Sequence, residues 1–70
     1  MKFYYEEIAV LKDGTSAQAL FEKPSEREAI AAASQAFASA LINPNLVSIA
    51  VEAKNSEGFV YRKDAYVVEE

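Results

Sequence analysis

The eleven carboxylates are the most abundant reactive groups in this chain, and their spacing decides what chemistry they could support. They fall into the pairs Glu6-Glu7, Glu26 with Glu28, and Glu69-Glu70, besides single residues. General acid–base work or cation binding needs carboxylates that converge in one cleft. Adjacent strand residues point to opposite faces, which separates Glu6 from Glu7. Glu26 and Glu28 stand where a helix starts and suit the positive end of its dipole. The last pair belongs to a tail in which fraying is expected. Glu6 has a second possible behaviour: on an inward strand face beside Tyr4 and Phe21 it would be buried with a raised pKa, or escape through a bulge.

Other chemistry is limited by what the composition lacks. With no cysteine and no histidine, disulfides, thiolate catalysis, Cys/His zinc sites and imidazole acid–base steps are absent, and no base is at hand to activate Ser25 or any other hydroxyl. Gly14 and Gly58 are isolated, so no phosphate-cradling loop exists. The expectation is a non-enzyme with no catalytic residue, no cofactor and no metal. Phe3, Tyr4, Tyr5, Phe59, Tyr61 and Tyr66 lie near strand ends and suggest base stacking, but such platforms combine aromatics with a basic groove. Here the net charge is −4 and only Arg62 and Lys63 are adjacent among the basic residues, so no nucleic-acid partner is expected.

Seventy residues, 51% of them hydrophobic, close one core, and a single small domain over 1–70 is expected. Stability of about 0.05–0.15 kcal/mol per residue leaves so small a domain something to gain from association. No stretch approaches the roughly 20 apolar residues of a membrane helix. The start MKFYYEEIAV lacks the basic and apolar regions of a signal peptide. A cytoplasmic location without membrane contact is therefore expected.

The elements follow from punctuation and periodicity. Asp13-Gly14 suits a two-residue hairpin turn. If Lys12 pairs with Thr15, then Tyr4, Ile8, Val10, Ala17, Ala19 and Phe21 share the inward face. Ser25 with Glu28 three residues on forms a capping box, the alanines up to Ala40 favour a helix, and Asn43-Pro44-Asn45 ends it. Ile30, Ala33, Phe37, Ala40 and Leu41 make its apolar stripe. Leu46 to Lys54 alternates as a strand with Val47, Ile49, Val51 and Ala53 inward. Asn55-Ser56-Glu57-Gly58 predicts a type I turn closed by a left-handed glycine, leading to a strand from Phe59. Lys63 would then oppose Val51, so Arg62-Lys63-Asp64 is read as a bulge, a strand break or an exit from the sheet; Tyr66 and Val68 keep the outward side of Val60 unless that irregularity turns them over.

The fold class expected is α+β, a ββαββ chain whose four-stranded antiparallel sheet has the order 2-1-3-4 and one helix on one face. The uncovered face would hold Phe3, Tyr5, Leu11, Leu20, Val60, Tyr66 and Val68, a patch larger than monomers usually expose. The function expected is a non-catalytic protein–protein interaction module. It would form a homo-oligomer, as a dimer, or bind another protein through that face or an edge strand. An acidic inhibitor that occupies a basic site on a nucleic-acid-handling protein is the alternative.

Overall fold

A computed structural model describes residues 1–69 of the chain; Glu70, and with it half of the Glu69-Glu70 tail, lies outside the described residues. The elements are β1 (Phe3–Leu11), β2 (Ser16–Lys23), α1 (Glu26–Leu41), β3 (Leu46–Asn55) and β4 (Val60–Val67). They form an α+β fold with one open antiparallel sheet in the order β2-β1-β3-β4, as expected from the sequence. Because β1 runs antiparallel to both neighbours, β2 and β3 are parallel, and the link between them must cross over β1. That link is α1, which packs chiefly on β3, next on β1, and least on β2. Among the described residues no helix is long and apolar enough to cross a membrane.

The helix starts and stops where its caps require. Ser25 Oγ accepts the Glu28 amide at 3.2 Å, and the Ser25 hydroxyl donates to the Glu28 carboxylate at 3.4 Å. The reciprocal half of the expected capping box, Glu28 reaching back to an amide, is replaced by this side-chain contact. At the other end Asn43 Oδ1 accepts the Asn45 amide at 2.9 Å and turns the chain into β3. The buried line of the helix is Ala29 and Ala33, with Ile30, Phe37 and Ala40 half-buried beside it and Leu41 exposed. Ala29 and Ala33 share the core cluster with Val51 and Ala53, Phe37 packs at its margin, and Leu41 of the expected stripe lies outside it. Ile49 and Val51 of β3 are the largest wholly buried side chains.

The first hairpin departs from expectation by one residue. Leu11 N–H donates to the Thr15 carbonyl at 2.9 Å and Gly14 N–H to the Leu11 carbonyl at 3.0 Å, so the loop has three residues, Lys12 to Gly14. A two-residue type I′ turn needs positive φ at both central positions, and here only the glycine has it, Gly14 at +88°. Asp13 accepts the Thr15 amide at 2.9 Å and its hydroxyl at 2.6 Å, fixing the loop. The register becomes Tyr5 opposite Phe21, Glu7 opposite Ala19 and Ala9 opposite Ala17.

That slip turns β1 over. Phe3, Tyr5, Glu7, Ala9 and Leu11 share the helix side with Ala17, Ala19 and Phe21, while Tyr4, Glu6, Ile8 and Val10 face away. The second hairpin has the expected loop: Asn55 N–H donates to Phe59 at 3.0 Å, Gly58 N–H donates to Asn55 at 3.1 Å, and Gly58 has φ +90°. The bulge comes at Tyr61, ahead of the stretch Arg62 to Asp64, with Lys54 opposite Val60 and Ala53 opposite Arg62. Ile49 therefore meets Tyr66, and Lys63, which had no fit opposite Val51, sits opposite Glu52 on the outer face.

Candidate functional site

The corrected registers divide the seven residues expected on one uncovered face. Phe3, Leu11 and Val68 are half-buried against the core, and Tyr5 is only 6% exposed. Tyr66 lies opposite Ile49 on the helix side, exposed at the β4 margin. Leu20 and Val60 do face away from the helix, but on opposite edges of the sheet. The three-residue first loop explains Phe3, Tyr5 and Leu11; the bulge at Tyr61 explains Tyr66.

The outer face is consequently half apolar and half charged. Tyr4, Ile8 and Val10 contribute one part. Across its middle runs a row in which Lys54 Nζ lies 2.8 Å from Glu6 and Lys63 Nζ 3.7 Å from Glu52, with Gln18 Nε2 3.5 Å from Glu6. Glu6 is thus not the buried acid foreseen for an inward face. The hydrogen bond from Lys54 holds its carboxyl below the usual range, and the same contact raises Lys54.

What sequence reasoning missed lies on the helix side, next to β2. A helix is about 10 Å across with its side chains. The axes of the outermost of four strands are about 14 Å apart. One helix centred over β3 and β1 leaves β2 bare. Ala32, Gln35, Ala36 and Ser39 line the flank of α1 that looks toward β2. A trough remains, in two lobes that share Ala36 and Ser39. One, of about 340 Å³, is bounded by Tyr5, Phe21 and Lys23; the other, of about 330 Å³, by Glu7, Ala9 and Ala17. On its floor the Tyr5 hydroxyl donates to the Glu7 carboxylate. Burial, reinforced by Glu7, pushes the Tyr5 phenol above its ordinary pKa.

The rim of the trough is β2, which is exposed along nearly its whole length. Phe21 is 53% exposed although its ring lies 5.8 Å from that of Tyr5, and Leu20 is 56% exposed on the other face. The backbone of β2 is open as well. Since Leu11 and Thr15 form a bonded pair, the bonded pairs of the ladder recur at Ala9–Ala17, Glu7–Ala19 and Tyr5–Phe21. The N–H and C=O groups of Ser16, Gln18, Leu20 and Glu22 therefore point away from the sheet. No proline, no bulge and no charged side chain interrupts β2 between Ser16 and Phe21. The signal was available in the sequence as the uncharged run from Thr15 to Phe21, taken together with the width of a single helix.

The arrangement is an unpaired strand edge beside an open trough, whose one carboxylate, Glu7, is engaged by the Tyr5 hydroxyl. Comparison with known proteins yields no match: no family model, no curated protein and no solved structure is similar to this chain.

Proposed function

We propose that the chain is a non-catalytic interaction module that takes up other protein chains along β2, strand against strand. The supporting observation is the row of outward backbone groups at Ser16, Gln18, Leu20 and Glu22, on a strand that carries no charge, bulge or proline from Ser16 to Phe21 and meets its first charges only at Glu22 and Lys23. Main-chain hydrogen bonds would supply affinity, and the trough beside Phe21 would supply a place for the partner's side chains. The charged row across the outer face makes that face a poorer contact than the edge. The acidic-inhibitor alternative has less support, because Glu6, Glu22, Glu52 and Asp64 are each ion-paired to a basic side chain.

Hydrogen exchange tests the proposal. In dilute purified protein the amides of Gln18, Leu20 and Glu22 should exchange freely; in extract of the cells that make the protein they should slow by about tenfold or more. Equal rates in both settings would remove β2 as the docking edge.

A further inference from the structure

We infer that the chain taken up by β2 is the β2 of a second copy, antiparallel about a two-fold axis at Ala19, so that two four-stranded sheets join into one of eight. The inference rests on β2 being the docking edge and supplies its partner.

Three features of β2 fit its own reversed image. The first is the backbone. The outward groups belong to Ser16, Gln18, Leu20 and Glu22, and a pairing that sets Ala19 on Ala19 places Gln18 opposite the partner's Leu20 and Ser16 opposite the partner's Glu22. Every outward group then meets another outward group, and inner faces stay with inner faces.

The second is charge. Lys12 and Asp13 precede the strand and Glu22 and Lys23 close it, while Thr15 to Phe21 carry none. With Ala19 on Ala19, the uncharged run Ala17 to Phe21 lies along the same run of the partner, and Lys23 falls two positions from the partner's Asp13, while Glu22 keeps its own Lys2 at 3.7 Å; in-register parallel pairing would bring each group toward its own kind. Two molecules of net charge −4 would thus meet along a neutral strip.

The third is volume. Phe21 comes opposite the partner's Ala17, a large side chain over a small one, and the symmetry repeats the match. The two troughs become one, with both Phe21 rings inside it. A single strand pair is a small interface, so association should be weak and concentration-dependent.

The chain has no cysteine, so Ala19→Cys introduces its only thiol. At a non-bonded antiparallel pair the Cα atoms are about 4.5 Å apart, within the range a disulfide spans. Under mild oxidation Ala19→Cys should give a covalent dimer. Ala17→Cys and Phe21→Cys should each stay uncrosslinked alone and crosslink when mixed. Crosslinking through Leu20→Cys while Ala19→Cys stays free would overturn this pairing.

As a check independent of oxidation, Gln18→Lys with Leu20→Lys sets lysine against lysine twice and should raise the concentration needed for dimerisation by about tenfold or more. An unchanged value, or a wild-type particle that scatters light as a monomer up to about 1 mM, overturns the dimer. The outcomes separate the two readings. A monomer whose Gln18, Leu20 and Glu22 amides still slow in extract loses only the second copy as partner. Free exchange there as well loses the docking edge itself.

Discussion

At one margin of the sheet β4 carries Arg62, Lys63 and Asp64 in succession after a bulge at Tyr61, and at the other β2 runs without irregularity from Ser16 to Phe21 with no charged side chain. Arg62 Nε lies 2.7 Å from Asp64 within β4, and Lys63 pairs across to Glu52 of β3. Both strands have the same need, since each exposes unpaired backbone groups that could template aggregation. β4 carries charge in mid-strand and a bulge, whereas β2 is regular and reaches its first charges only at its end, Glu22 and Lys23. An unguarded edge is a hazard to any protein that does not use it, and the difference between β4 and β2 is therefore what supports the proposed docking at β2.

The largest expected effect establishes that neither edge holds the monomer together. Ile49→Ala, at a position 2% exposed in central β3, should cost about 2–5 kcal/mol in chemical denaturation, a large share of what so small a domain possesses. Leu20→Ala on β2 and Val60→Ala on β4 should each cost under about 1 kcal/mol in dilute protein. If Leu20→Ala matched Ile49→Ala, β2 would be part of the monomer's core and its exposure would carry no message about partners.

A finer contrast uses one phenylalanine at each margin. Phe21 packs against Tyr5 with ring centroids 5.8 Å apart, and Phe59 against Tyr61 at 4.9 Å. Each is more than half exposed. Replacing either by alanine should remove about 1 kcal/mol in dilute protein, the worth of a half-exposed aromatic contact. As protein concentration rises, the thermal midpoint of wild type should climb above that of Phe21→Ala, while its distance from Phe59→Ala stays fixed. A concentration-dependent gap for Phe59→Ala alone would move the docking edge to β4.

The same pair of edges shows what was legible in the sequence. Element order, sheet order and the Asn55–Gly58 loop follow from local signals: glycine after a type I turn, proline after a helix, strict alternation in β3. The face of β1 was not legible, because FYYEEIAVL is nearly as apolar on one side as on the other: Phe3, Tyr5, Ala9 and Leu11 against Tyr4, Ile8 and Val10. The turn had to decide it. Asp13-Gly14 supports either a two-residue or a three-residue loop, and the choice depends on whether Asp13 takes positive φ or instead accepts the Thr15 amide. One residue of loop length then relocated Phe3, Tyr5 and Leu11 from the supposed contact surface to the helix side, and moved Glu6 out to Lys54. The trough beside the proposed docking edge follows from a property no single strand carries, the mismatch between the width of one helix and that of four strands.

The charged row of the outer face repeats the asymmetry between the margins, since it reaches β4 at Lys63 but stops before β2 at the uncharged Gln18. Glu6→Gln should show how little that row adds to stability and over what pH range. The Lys54 hydrogen bond lowers the Glu6 pKa in the folded state, so its stabilisation is present above the unfolded carboxyl value of about 4.3 and is lost as pH falls through the folded one. The same bond raises the Lys54 pKa, so its share is present below about 10.4 and is lost as pH climbs through the folded value. Wild type should therefore exceed Glu6→Gln by no more than about 1 kcal/mol on a plateau between those limits, as for other partly solvated ion pairs. Denaturant midpoints measured at acid, neutral and alkaline pH should show the gap closing at both ends. If the gap is as wide in acid as at neutral pH, the glutamine disturbs the sheet by its shape, and the charged row is ornament to β4 instead of a guard.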